Sequence, residues 1–304
     1  MSEEPRDERS KEPRDIGVQS LREIDWKNLL KQIRKGTCVP FIGPDVCAGV
    51  YPSKAQIAQK WAAEEEYPLE DRSDLARVAQ FLAVQNAPAY PVDKLIEEYE
   101  NIRPPDFTDR SEPHRVLADL PLPLYITTNY DQFMSLSLQK VIVPRNARRD
   151  FCRWRQTPGT SSVFAGEYSP TPANPLVFHL FGYMESPASL VLTEHDYLKF
   201  LVNVSKEAAL IPALIRGAIA EGSLLFTGYH FNDWDFRVLI HTIANYLENN
   251  LGKAHVSVVT PDTHQEAAIY LKLYFRNLDL RIFWGTSQEF LAELRRRWEA
   301  FSNG

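Results

Sequence analysis

The feature that most constrains this chain is an alternation. Short apolar and β-branched runs take turns with helical segments: Thr37–Gly43, Leu122–Thr128, Leu176–Phe181, Ser223–Thr227, His255–Thr260 and Leu280–Trp284 read as strands. Asp233–Leu247 carries Phe236, Leu239, Ile240 and Ile243 on one helical face. Gln265–Phe275 reads as a helix, and Thr286 and Glu289 have the spacing of a capping box that opens the last one. Strands separated by helices cannot pair as hairpins. They pair in parallel through crossovers, in a sheet covered on both faces. A doubly wound α/β architecture is the expectation.

Asp25 can cap the first helix, with Trp26, Leu29, Leu30 and Ile33 as its apolar stripe and Gly36 at its end. Ser53 and Gln56 box the start of a second helix, and further helical patterns follow to Leu120. The stretch 53–120 is expected to form a small helical subdomain over the binding edge. Residues 141–175 read as an irregular surface excursion with an arginine-rich piece (Arg145, Arg148, Arg149, Arg153, Arg155). A solvated surface is the simpler reading of those arginines; a phosphate or partner contact is the other. Thr37–Gly43 reads as a strand despite Pro40, a residue normally confined to an edge, a strand start or a bulge.

Charge and composition exclude some classes. A net charge of −6 gives no support for nucleic acid as a direct ligand. There is no long apolar run of the kind that crosses a membrane. Residues 1–20 are dominated by charge and proline and are expected to be a disordered tail. Cys38, Cys47 and Cys152 form no paired spacing, so neither a disulfide framework nor a four-cysteine zinc site is expected. A reducing, cytoplasmic compartment fits this cysteine usage.

In an open α/β sheet, ligands bind at the carboxyl ends of the strands. Four strand ends carry polar or glycine-rich sequence. Gly43-Pro44-Asp45-Val46-Cys47-Ala48-Gly49 could let backbone N–H groups approach a pyrophosphate. Thr127-Thr128-Asn129-Tyr130-Asp131 crowds polar groups at the end of an apolar strand. His179-Leu180-Phe181-Gly182 and Gly228-Tyr229-His230-Phe231-Asn232-Asp233 close two more strands. Each alone also fits a plain loop, a strand end, a core histidine or a helix cap. The four together, in this order, point to one binding edge.

These four segments resemble the sirtuin-like superfamily, in its bacterial NAD-hydrolase branch. Gly43–Gly49 resembles the nucleotide loop GAGxS. TTNYD, Thr127 to Asp131, resembles T-x-N-x-D. HLFG followed by SLVLTEHDY, Ser189 to Tyr197, resembles the LHG strand and its helix. GYHFNDWDFR, Gly228 to Arg237, resembles the closing GYSxxD segment. The resemblance implies a Rossmann-like sheet with a small helical subdomain, holding NAD as substrate or ligand and no metal. It implies that Asn129 holds the nicotinamide ribose and the attacking water, with Asp131 in support. Gly43, Pro44, Asp45, Val46 and Cys47 would line the phosphates. Thr128, Gly228, Tyr229, Asn232 and Asp233 would complete the nucleotide site. The implied reaction cleaves the nicotinamide–ribose bond through an oxocarbenium-like transition state. Such domains commonly serve in bacterial antiviral defence, triggered by a partner protein or by self-assembly into an oligomer.

Three departures stand out. Phe181 occupies the place of the family's catalytic histidine. His179 lies two residues earlier, on the same face of an undistorted strand but about 6.5–7 Å away; His230 is a second candidate base. Asp45 replaces a glycine, and a carboxylate beside a pyrophosphate needs to point away or pair with a cation. The zinc cysteines of the deacetylase branch are absent, which argues against deacylation. An inactive module that binds NAD or ADP-ribose is the alternative reading.

Overall fold

The computed structural model describes residues 21–155, 162–230, 233–247, 255–259 and 280–302. The charged tail and the helix expected over Gln265–Phe275 lie outside the described residues.

Seven parallel strands form one sheet: β1 (Cys38–Ile42), β2 (Leu124–Thr127), β3 (Arg148–Phe151), β4 (Leu176–His179), β5 (Ser223–Thr227), β6 (His255–Val259) and β7 (Leu280–Trp284). Their order is β3-β4-β2-β1-β5-β6-β7. From β1 the chain goes to β2, out to the edge strand β3 and back to β4 between them, then crosses β1 to β5 and moves outward on the other side. The topological switch point therefore lies at β1 and β5.

Alternate residues along each strand feed two cores. Val39, Phe41, Leu124, Ile126, Leu176, Phe178, Leu224 and Phe226 point to one face. There they meet α2 (Lys54–Glu64), α3 (Leu75–Gln85), α4 (Tyr90–Glu100), α7 (Glu194–Lys206), α8 (Ala213–Glu221) and α9 (Trp234–Leu247). Cys38, Ile42, Tyr125, Val177, Leu225 and Val256 point to the other. That face is covered by α1 (Glu23–Arg34), α5 (Pro113–Ala118), α6 (Phe133–Lys140) and α10 (Ser287–Ser302). The expected doubly wound α/β fold is the observed one. Within 53–120, α2–α4 share the core of one face, while α5 belongs to the opposite face.

Several local expectations change. Asp25 does not cap α1 but sits in its first turn, bonding back to Arg22 to close a capping box. Pro40 lies in the central strand. Its ladder to β5 runs from Cys38 to Ile42, but pairing with β2 starts only at Phe41. The proline therefore falls where β1 is paired on one side alone. The stretch 141–175 contributes the edge strand β3, parallel to β4. Its sequence, RRDF, has no apolar run because an edge strand leaves its polar groups accessible. Its arginines serve the chain itself. Arg148 lies over the Tyr168 ring, Arg149 pairs with Glu185, Arg153 with Asp150 and Arg155 with Asp196. Arg145 bonds the carbonyls of Ala118 and Leu120.

Phe41 and Phe226 stack at 5.0 Å between β1 and β5, both fully buried. Phe41→Ala is expected to destabilise the protein by about 3–5 kcal/mol, read as a lower midpoint in chemical denaturation. A loss below about 1 kcal/mol would mean that the two strands are not joined through this contact.

Candidate active site

At the switch point, β1 and β5 end in glycines that touch. Gly43 N–H donates to Thr227 O at 2.8 Å, and Asp45 N–H donates to Gly228 O at 3.0 Å. Gly228 has φ +82°, and a Cβ there would lie 2.7 Å from Gly43 O. A Cβ on Gly43 would lie 2.3 Å from Gly228 O. No side chain fits between the two loops. The chain after Gly43 makes one 3₁₀ turn, Pro44–Cys47, before it reaches α2.

The end of β2 lies beside this turn. Asn129 is held from two directions: its backbone N–H donates to Thr127 Oγ1 at 3.0 Å, and Nδ2 donates to Gly43 O at 3.1 Å. Its Oδ1 is buried without a hydrogen-bond partner among the described residues. A buried acceptor left open in this way is rare in folded proteins and marks a place for a ligand or a water. Asp131 accepts from Phe133 N–H at 2.8 Å through Oδ1, which starts α6. Its Oδ2 accepts the Cys47 thiol at 3.6 Å. Burial and the Asp131 charge hold that thiol well above its usual range, so the sulfur is the donor.

These groups line a cleft of about 570 Å³, within the range of small-molecule sites. Pro44, Asp45 and Cys47 form one wall, and Thr128, Asn129 and Asp131 the next. Ser53, Lys54 and Gln56, at the start of α2, face it as well. Ser53 caps that helix through Gln56 N–H, so the positive end of the α2 dipole points into the cleft. Tyr51 and Tyr99, 4.3 Å apart between ring centroids, supply an aromatic surface.

The remaining expected residues divide. His230 and Asp233 line the cleft. His230 Nε2 pairs with Asp45 Oδ2 at 2.6 Å, so Asp45 has a partner that carries a positive charge when protonated. Burial and the neighbouring Asp235 push the Asp233 carboxyl up to about 6. Gly228 acts through its carbonyl and its lack of a side chain. Tyr229 is buried, and its hydroxyl accepts from Thr128 Oγ1 at 3.3 Å. Val46 is a core residue. Asn232 lies outside the described residues.

His179 does not line the cleft. Its ring is buried, with Nδ1 3.0 Å from the backbone carbonyl of Asn129. Nε2 has no partner among the described residues. Burial lowers its pKa and favours the neutral ring. Its link to the site therefore runs through the Asn129 backbone. Phe181 is fully buried and packs edge-on against Tyr197 and Phe200.

Sequence reasoning missed other groups. Lys54 pairs with buried Asp235, which also accepts from Tyr197 OH, tying α2 to α9 beside the cleft. The capping box directly after the glycine loop was the signal for Ser53 and Lys54. No spacing signalled Tyr99 or His114.

Compared with known protein families, residues 123–280 match a SIR2-like domain, a span of more than half the chain. Among curated proteins, the NAD(+) hydrolase ThsA of Enterococcus faecium is 24% identical over 239 residues, covering 75% of this chain and 45% of that protein. The NAD(+) hydrolase ThsA of Bacillus cereus (strain MSX-D12) is 25% identical over 230 residues, covering 75% of this chain and 44% of that protein. The chain thus spans less than half the length of these relatives.

The Asp45–His230 pair gives a pH signature. Its contact with Asp45 raises the His230 pKa above its ordinary 6.5. The pair's contribution is complete below 6.5 and fades as pH rises through the raised value. A proton-resolved titration is expected to place the His230 midpoint above 6.5, and Asp45→Asn to return it toward that value. An unshifted midpoint in the unmodified protein would show that the pair does not form in solution.

Proposed function

Because this chain belongs to the family of SIR2-like domains, we propose that it cleaves NAD into nicotinamide and ADP-ribose. The observation that carries this reading is Asn129, a carboxamide fixed by Gly43 and Thr127 with its oxygen left open.

The C1′–nitrogen bond breaks with its electron pair going to the nicotinamide ring, which leaves neutral. Departure therefore needs no general acid. The ribose becomes oxocarbenium-like, and Asp131, partly exposed to the cleft, supplies negative charge near the developing cation. Asn129 Oδ1 accepts a hydrogen bond from the water, whose oxygen then bonds C1′ and whose proton leaves to solvent. The slow step asks for charge stabilisation and placement rather than for a strong base. This is why Phe181 in the family's histidine position does not by itself rule out turnover. His179 acts as a positioning residue, setting the backbone of Asn129.

The diphosphate would meet the 3₁₀ turn after Gly43 and the start of α2, where helix dipole and Lys54 favour an anion. Asp233, its carboxyl pushed up to about 6, takes a proton more readily than an ordinary carboxylate and, when protonated, donates to an oxygen instead of repelling it. Tyr51 and Tyr99 offer a face on which a planar ring can stack. An effector role in bacterial antiviral defence, released by a partner or by self-assembly, belongs to the same reading.

One observation favours a second reading. Phe181 is sealed in the core, so the position of the family's imidazole presents no ring to the cleft, and the histidine that lines it, His230, is paired with Asp45. A module that binds NAD or ADP-ribose and acts through a partner would tolerate that.

Incubating purified protein with NAD and following nicotinamide by chromatography separates the two. Hydrolysis predicts release that falls by about 10²-fold or more in Asn129→Ala. His179→Ala is expected to lower kcat with little change in NAD binding. Thermal stabilisation by NAD without any release would select the binding module.

A further inference from the structure

Behind the cleft wall, three side chains from separate segments converge. Cys47 comes from the turn after β1, His114 from α5 and Asp131 from the β2–α6 connection. Their ligand atoms all lie within 4.8 Å of one another. We propose that Cys47 Sγ, His114 Nε2 and Asp131 Oδ2 bind a divalent transition-metal ion of the zinc class.

The distances fit such an ion. Tetrahedral zinc, with bonds of about 2.3 Å to sulfur and about 2.0–2.2 Å to nitrogen and oxygen, separates sulfur from its neighbouring ligands by about 3.6 Å. Cys47 Sγ is 3.8 Å from His114 Nε2 and 3.6 Å from Asp131 Oδ2. The donor set, one thiolate, one imidazole and one carboxylate, is one that zinc and cobalt(II) accept.

Each ligand is also aimed from behind, which a chance cluster would not require. His114 Nδ1 is bonded to Glu112 Oε1 at 2.7 Å, the carboxylate–histidine arrangement that orients a metal-bound imidazole. Glu112 is itself fixed, since Oε2 accepts Arg115 N–H at 2.7 Å as the cap of α5. Asp131 commits Oδ1 to Phe133 N–H and turns Oδ2 toward the sulfur. Asn129 Nδ2 lies 3.5 Å from Cys47 Sγ, a donor that favours thiolate. Without an ion, the thiol proton bridges Cys47 and Asp131. Binding replaces that proton with the metal.

Cys47 and Asp131 both line the cleft, so the fourth coordination position opens toward it. Three protein ligands with one open position is the arrangement of an exchangeable site rather than a closed structural one. The ion would clamp the β1 turn, α5 and the β2 end together at the floor of the cleft. Asp131 is also the carboxylate that the proposed hydrolysis sets near the developing cation, so a bound ion would draw on that charge. Each readout below is of the metal itself and does not depend on NAD turnover.

The test loads the full chain with Zn²⁺ or Co²⁺, removes excess by dialysis and measures metal per chain. The expected result is one ion per chain. The Co²⁺ form should show a thiolate-to-cobalt charge-transfer band and the strong visible bands of a tetrahedral site. Cys47→Ser and His114→Asn should each weaken Zn²⁺ binding by about 100-fold or more. Glu112→Gln, which keeps all three ligands, should weaken it by about 10–100-fold. Circular dichroism checks that the variants fold. If one does not, the cobalt spectrum of the unmodified chain still decides. No stoichiometric metal, a cobalt spectrum without the sulfur band, or unchanged affinity in folded Cys47→Ser would overturn the site.

Discussion

Everything at the cleft depends on two backbones passing too closely for a side chain. The carbonyl of Gly228 sits where a Cβ on Gly43 would be, and the reverse contact is nearly as tight. This approach brings the ends of β1 and β5 into hydrogen bonding and aims the 3₁₀ turn toward α2. It also leaves the Gly43 carbonyl free to hold the Asn129 carboxamide. Widening the gap would move the 3₁₀ turn, the carboxamide and the Asp45–His230 pair together. The site is thus a property of the sheet's switch point more than of any one loop.

The charges are arranged so that few face each other unpaired. Asp45 meets His230, Asp235 meets Lys54 and Tyr197, and Asp131 meets the Cys47 thiol and the Phe133 amide. A cleft carrying several carboxylates can then receive an anion, because the carboxylates are occupied and the α2 terminus is exposed to it. Lys54 matters twice in this scheme. It faces the cleft, and it neutralises a carboxylate that is 1% exposed. An uncompensated charge at that depth would be strongly destabilising.

Much of this was legible in the sequence, and the gaps have physical causes. Strands buried on both faces are written as apolar runs, so β1, β2, β4 and β5 could be read nearly to the residue, as could β6 and the half-buried edge strand β7. β3 could not, because its Arg-Arg-Asp-Phe sequence is made for an edge. α6 was hidden by weak amphipathicity, with serines at buried positions. Asn129, Asp131, Asp45 and His230 were visible as polar residues at strand ends and do meet in one cleft. His179 shared the same signal but faces the interior, since the last residue of a strand can point either way. His114 gave no signal. A histidine inside a short helix joins Cys47 only through the tertiary fold, and cysteine spacing alone cannot reveal a site built from one thiol and two other residue types.

The order of the strands has a further consequence, for how the molecule comes into being. Cys38 pairs with Ser223 and Ile42 with Thr227, so the central ladder joins residues far apart along the chain. Closing so long a loop is entropically costly and slow, and it returns nothing until the whole intervening segment is in place. The two glycines can meet only at that moment. A partly folded chain, or a nascent one still short of β5, can hold helices and the β1–β2 pair yet has no cleft. Whatever this cleft does is therefore withheld until folding is nearly complete. Under the proposed NAD cleavage, the topology itself would act as a safeguard during synthesis.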